Sequence, residues 1–173
     1  MNEKNALRYI TEGPNQELDM MFHFEHMEAD CLFTDVFQKP FDLLKLKKAW
    51  SSWQKDLDGK GWNSLYIENH DHPRSISRYG SEKFWKESGK MLATAYLFQK
   101  GTPFIYQGQD IGMLNWRPDH PLKYEDVHTL WQYHHEETDK SDRERLERLW
   151  RCSRDSARTG VQWNDGKNGG FTT

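Results

Sequence analysis

At 173 residues the chain is long enough for one domain with a real hydrophobic core. Its net charge of -3 offers no basic field for nucleic acid. No apolar run reaches the roughly 18 residues of a membrane span, and Met1 to Asn5 lack a signal peptide's apolar core. Cys31 and Cys152 lie far apart with no motif between them, and read as free thiols in a reducing cytosol, so the expected location is cytoplasmic. Eight Trp, seven Tyr and nine Phe make up 14% of a chain that is 29% charged. Either a large core lies under a charged surface, or some of these rings are platforms for the apolar faces of sugars.

In chain order, Leu18 to Phe24 is a short apolar run and reads as a strand. Asp42 is placed to cap a helix over about Leu43 to Asp58, whose Leu43, Leu44, Leu46, Ala49, Trp50 and Trp53 recur at helical spacing, and Gly59 to Gly61 stops it. The Trp residues of this helix read as core. Asn63 to Glu68 is the second strand. A second helix, opened by Ser81 or Glu82, runs to about Gln99, and Gly101 precedes a third strand, Thr102 to Tyr106. Strands alternating with helices of crossover length predict a parallel sheet with right-handed connections. Polar residues follow each strand: Glu25-His26, then Asn69-His70-Asp71, then Gln107 to Asp110. Parallel α/β enzymes carry their chemistry at this end of the strands. Beyond Met113 the chain turns polar and aromatic. One helix is expected over about Ser141 to Arg154, and the rest reads as an elaborated loop over a site.

Asn69-His70-Asp71-His72-Pro73-Arg74, followed by Gly101-Thr102-Pro103-Phe104-Ile105-Tyr106-Gln107-Gly108-Gln109-Asp110, resembles the α-glucosidases of glycoside hydrolase family 13, the group of oligo-1,6-glucosidases, dextran glucosidases and trehalose-6-phosphate hydrolases. Glu17 to Met27 is similar to the family's sixth barrel strand, Gly61 to Leu65 to the lead into the seventh, and Ser153-Arg154-Asp155-Ser156-Ala157-Arg158-Thr159-Gly160-Val161-Gln162-Trp163 to its Ala-Arg-Thr-Pro-Met-Gln-Trp segment. The resemblance implies an α/β fold: a partial (β/α)8 TIM barrel over residues 1–173, with the last three strands and the long loop region after the eighth, and without the C-terminal β domain.

It also implies a division of the chemistry. Retaining glycosidases use a nucleophilic carboxylate and an acid/base carboxyl about 5–5.5 Å apart. In this family those groups follow the fourth and fifth strands, so both are expected before Met1 and the chain alone is expected to be inactive. What the resemblance carries onto this chain is Asp71 as transition-state stabiliser, His70 and Arg158 as contacts of the same glucose ring, and His128 beside the leaving sugar, where a Glu is expected. The sequence departs from the family at His72 for Gln, Asp110 for Glu, Gly160-Val161 for Pro-Met, and His128. The implied partner is a small oligosaccharide or disaccharide. No cofactor, metal, nucleic acid or membrane is implied, and open strand edges predict self-association.

Blander readings stand beside these. Asn69-His70-Asp71 alone is a turn in which side chains bond the backbone. His70 and His72 on one face of an extended segment could hold a metal, though Asp71 would point the other way. Arg158 could be an ordinary surface arginine, and His134 to Glu137 a solvated helix face or loop. At the level of function, the rivals are a non-catalytic family member or fragment, and a transglycosylase or sugar isomerase on the same barrel.

Overall fold

The structure, a computed structural model, describes residues 3–31 and 39–170. Its elements are α1 (Glu3–Ile10), β1 (Met20–Met21), α2 (Leu43–Leu57), β2 (Trp62–Leu65), α3 (Ser75–Tyr79), α4 (Trp85–Leu97), β3 (Thr102–Pro103), α5 (Val127–His135) and α6 (Asp142–Cys152), with short 3-10 turns between them. They fall into two compact units, Met1–Ile67 with Ala93–Phe104, and Glu68–Leu92 with Ile105–Thr173.

The first unit holds the sheet. Its strands are parallel in the order β1-β2-β3, as the alternation of strands and helices predicts. Met20 pairs with Trp62, and Ser64 with Thr102. The outer strands are shorter than expected. After β1 the chain leaves the extended form at Phe24 and enters a 3-10 turn, Glu25–Glu28. In β3, Pro103 has no N–H to give to a ladder, and only the Phe104 N–H beyond it reaches the Leu65 carbonyl, at 2.7 Å. Gly101 is required where it stands. Its φ is +151°, and a Cβ there would lie 2.5 Å from the Asn63 carbonyl oxygen of β2.

Helix α2 forms as expected, with the Asp42 carboxylate accepting from the Lys45 N–H at 2.9 Å. Its inward stripe is narrower than the sequence implies. Leu46, Trp53 and Leu57 are buried, whereas Leu43 and Leu44 are exposed. Trp53 and Leu57 pack with Ala6 and Ile10 of α1, a helix the sequence reading passed over. Ala6, Leu7 and Ile10 face this cluster but span little more than one turn, too short a stretch to mark a period.

An aromatic and imidazole cluster closes this core. Trp53 stacks on His23 with centroids 4.1 Å apart and planes 11° from parallel, and its indole N–H donates to Glu25. His26 Nε2 donates to the Tyr66 carbonyl at 2.8 Å, and the Tyr66 hydroxyl donates to the His23 carbonyl at 2.8 Å. Phe22 meets Tyr66 and Phe104 edge-on at 5.2 and 4.7 Å, yet is 47% exposed. The sheet's two outer strands and these half-covered rings are therefore open on the described residues.

The second unit carries α3, α5, α6 and the loop after β3. Helix α6 matches the expectation for Ser141 to Arg154 and starts on a capping box between Ser141 and Glu144. Its Leu146 and Leu149 are buried. Helix α5 corrects the expectation of a loop there, and α3 is a short helix in a stretch to which the sequence assigned no element. In α5 the usual polarity is inverted: Thr129 and Gln132 are buried while Val127 is 80% and Trp131 50% exposed. No apolar period marks such a helix. His134 and His135 form its exposed end.

His23 gives this fold a pH dependence. Burial pushes its pKa down to about 4, with the Asn63 side chain opposing. The unfolded chain takes up that proton near pH 6.5. The His23 contribution is thus complete above pH 6.5, shrinks as pH falls toward 4, and is gone below it, a loss of about 3 kcal/mol. Urea unfolding between pH 7 and 4 should show wild type losing about that much more stability than His23→Phe. Parallel pH profiles would contradict this.

Candidate functional site

The side chains of the candidate site all belong to the second unit. The turn that follows β2 is organised by Asn69. Its Oδ1 accepts from the Asp71 N–H at 2.9 Å and contacts His72 Nδ1 at 2.8 Å. The bland reading of Asn69-His70-Asp71 as a side-chain-bonded turn is therefore correct as local structure. The turn also separates the two histidines. His72 is buried, while His70 is exposed, with Nε2 3.4 Å from Asp71 Oδ2. The expectation that His70 and His72 share one face fails, because the Asn69 contact draws His72 inward. No group of three metal-ligating side chains occurs among the described residues.

Beneath the turn lies a buried ion pair. Arg74 Nη1 is 2.7 Å from Glu68 Oε1, with both side chains almost fully covered. The other Glu68 oxygen accepts from the Ser75 N–H and hydroxyl at 2.9 and 2.8 Å. Arg74 also donates to the Gln107 carbonyl at 2.6 Å and to the Ser156 carbonyl at 3.1 Å, and its own N–H goes to Asn115 Oδ1 at 2.8 Å. Gly108, with φ +81°, fits between: a Cβ there would lie 2.3 Å from Met113 Sδ and 3.3 Å from Arg74 Nη1. One guanidinium thus ties the Asp71 turn to the loop after β3 and to the 153–158 segment.

That segment brings two arginines to Asp71. Arg158 Nη2 lies 3.1 Å and Arg154 Nη1 3.4 Å from Asp71 Oδ1. Arg158 Nε donates to the His70 carbonyl at 2.9 Å. The arginines are held from behind by Asp126, whose Oδ1 accepts from Arg154 Nε at 2.7 Å and Arg158 Nη1 at 3.2 Å. Asp126 Oδ2 caps α5, accepting from the Thr129 N–H and hydroxyl at 2.8 and 3.0 Å. Burial would raise the Asp126 pKa, but the Thr129 donors and Arg154 outweigh it and hold this carboxyl below its ordinary range. Asp155 Oδ2 in turn accepts from the N–H groups of Glu125 and Asp126 at 2.8 and 2.9 Å.

The structure therefore joins three of the four sequence-predicted residues, His70, Asp71 and Arg158. Arg158, though exposed, pairs with both Asp71 and Asp126. His128 is carried on α5 two residues past Asp126, and its ring stacks on Trp131 with centroids 6.3 Å apart. Sequence reasoning missed Arg154 and Asp126. The cap pattern Asp126-x-x-Thr129 was a usable sign of the second, and the Arg154-x-x-x-Arg158 spacing of the first. The group can hold a polar, uncharged ligand: two carboxylates, two guanidiniums and an imidazole supply acceptors and donors at close to zero net charge.

The whole chain, residues 1–173, matches the model of the alpha amylase catalytic domain. It is 46% identical over 173 residues to the oligo-1,6-glucosidase of Parageobacillus thermoglucosidasius, covering 98% of this chain and 31% of that protein. Among solved structures, trehalose-6-phosphate hydrolase of Bacillus licheniformis aligns over 100% of this chain and 32% of its own, with 43% identity and a TM-score of 0.90. Isomaltulose synthase of Klebsiella sp. LX3 aligns with 30% identity and a TM-score of 0.83. The chain thus spans about a third of the length of these relatives, and its three parallel strands are part of a TIM barrel. It belongs to the alpha-amylase family, glycoside hydrolase family 13, as a portion of the catalytic domain.

Proposed function

We propose that this chain is the glucose-holding portion of a retaining α-glucosidase that releases terminal glucose from short α-glucosides such as isomalto-oligosaccharides. The observation that carries the reading is the meeting of His70, Asp71 and Arg158 in a chain 46% identical to an oligo-1,6-glucosidase.

Asp71 Oδ1 is occupied by the arginines, which leaves Oδ2, with His70 beside it, to receive sugar hydroxyls. A fixed carboxylate there favours the positive charge that develops on the ring, an interaction stronger in the transition state than in the ground state. Arg158 is assigned as a donor to the same ring, and His128 as the neighbour of the leaving sugar. The family resemblance assigns the nucleophile and acid/base carboxyl to other strands of the barrel, and on that reading this chain alone binds and does not hydrolyse. Hydrolysis is preferred over sugar isomerisation because identity is higher to the hydrolases than to the isomaltulose synthase. No helix among the described residues is long and apolar enough to cross a membrane. Two buried free thiols, Cys31 and Cys152, support a cytosolic setting.

The 173-residue chain should release no glucose from isomaltose, maltose or a nitrophenyl glucoside. Grafted in place of the matching third of the Parageobacillus enzyme, it should yield an active glucosidase. There Asp71→Asn should lower kcat/KM by about a hundredfold or more, with most of the loss in kcat. Turnover by the isolated chain that vanishes with Asp71→Asn, or a folded graft indifferent to that substitution, would overturn the assignment. Isomerised disaccharide as the main product would favour the synthase reading.

The outer strands β1 and β3 and the half-exposed Phe22 and Phe104 rings also support self-association of the free chain. Light scattering over a broad concentration range should show species larger than 20.7 kDa. A constant monomer mass would contradict it.

A further inference from the structure

We infer that Asp126 is a positioning residue for Asp71, acting through Arg154 and Arg158; its consequence for sugar binding rests on the function proposed above. Asp71 is 44% exposed in its side chain and stands on a turn, so its own surroundings do little to fix its rotamer. Both arginines that reach it, on the same Oδ1, are partly exposed, at 30% and 36%. Long exposed side chains give up conformational entropy to hold one geometry, and a surface pair on its own is weak. Asp126 changes that balance. At 4% exposed it is the buried anchor of the group, and one oxygen receives both guanidiniums.

The geometry is divided between the two Asp126 oxygens. Oδ2 is taken by the Thr129 donors and locked to the first turn of α5, so Oδ1 is fixed in space by a helix. Arg154 gives Asp126 its Nε and turns Nη1 to Asp71. Arg158 gives Asp126 its Nη1, Asp71 its Nη2 and the His70 carbonyl its Nε, so the arginine spans from the helix to the turn. The chain of contacts runs from helix to carboxylate to two arginines to Asp71 Oδ1, leaving Oδ2 beside His70. Charge follows the same count. With Asp126 the two arginines and two carboxylates balance, and without it an unpaired cation is left beside Asp71.

The test separates this role from simple helix capping. In Asp126→Asn the side-chain oxygen can still cap Thr129, but the amide nitrogen cannot accept from a guanidinium. Nitrogen-15 spectra of the full 173-residue chain should show distinct Nε–H signals for Arg154 and Arg158. In Asp126→Asn the Arg154 signal should collapse to the position of free arginine and the Arg158 signal, which keeps the His70 carbonyl, should shift and broaden, while the Leu130 amide in the first turn of α5 keeps its protection. In Thr129→Val, which removes only the hydroxyl bond to Oδ2, both arginine signals should stay. Arginine signals unchanged by Asp126→Asn, or lost equally in Thr129→Val, would overturn the inference.

Glucose supplies the functional readout. Added to wild type, it should move the His70 and Asp71 amides, and Asp126→Asn should weaken that response about tenfold, as for loss of a charge-assisted hydrogen bond. If glucose moves nothing in wild type, the α-glucosidase reading fails, and the arginine signals still decide whether Asp126 positions Asp71.

Discussion

The second unit depends on one buried cation. Arg74 is fully covered and has a charged partner, Glu68, at 2.7 Å. Taking both charges out of water costs several kcal/mol per ion unless every donor and acceptor is used. Here they are used. Glu68 receives the Ser75 N–H and hydroxyl in addition to Arg74, and Arg74 reaches two carbonyls and the Met113 sulfur. Removing either partner would strand the other, at a cost of about 3–5 kcal/mol. The pair is thus weak as a source of stability and strong as a constraint on geometry: three stretches distant in sequence must adopt the positions that satisfy one guanidinium.

The candidate site follows from that constraint. The turn bearing His70 and Asp71 lies between Glu68 and Arg74 in sequence, so fixing both ends limits the turn. The Ser156 carbonyl, held by Arg74, sits midway between Arg154 and Arg158. The same segment accepts from the Tyr106 hydroxyl at the Ala157 carbonyl, 3.0 Å, and the Trp116 N–H donates to the Ser156 hydroxyl at 3.2 Å. Each partly exposed functional side chain is therefore attached to backbone pinned from inside. A site that must hold a sugar ring in one orientation as charge develops needs such support, because a misplacement of about 1 Å is costly in rate.

Much of this was legible in the sequence, and the reasons for the rest are physical. The parallel order, α2 and α6 were readable because capping residues and apolar spacing agreed. Helix α5 was hidden because its buried residues are Thr129 and Gln132 and its exposed ones include Val127 and Trp131. The strand lengths were overestimated because an apolar run records burial, not pairing: Tyr66 and Ile67 are as buried as Leu65 but lie beyond the ladder. Within the site, His70, Asp71 and Arg158 came from the family resemblance. Arg154 and Asp126 had only weak local signs, a cap pattern and an arginine spacing, and an arginine or aspartate in a charged loop is usually solvated. Nor could spacing show that Glu68 and Arg74, six residues apart, turn inward toward each other.

Amide hydrogen exchange on the 173-residue chain, wild type against Arg74→Lys, tests this dependence most directly. Lysine keeps the charge but not the planar fork that serves Glu68, Gln107 and Ser156 together. The account predicts that residues 68–75, 107–115 and 153–158 lose protection together, while α2 in the other unit keeps its own. Loss confined to 68–75, with the other two stretches unchanged, would show that Arg74 is only a local partner of Glu68 and would contradict the account.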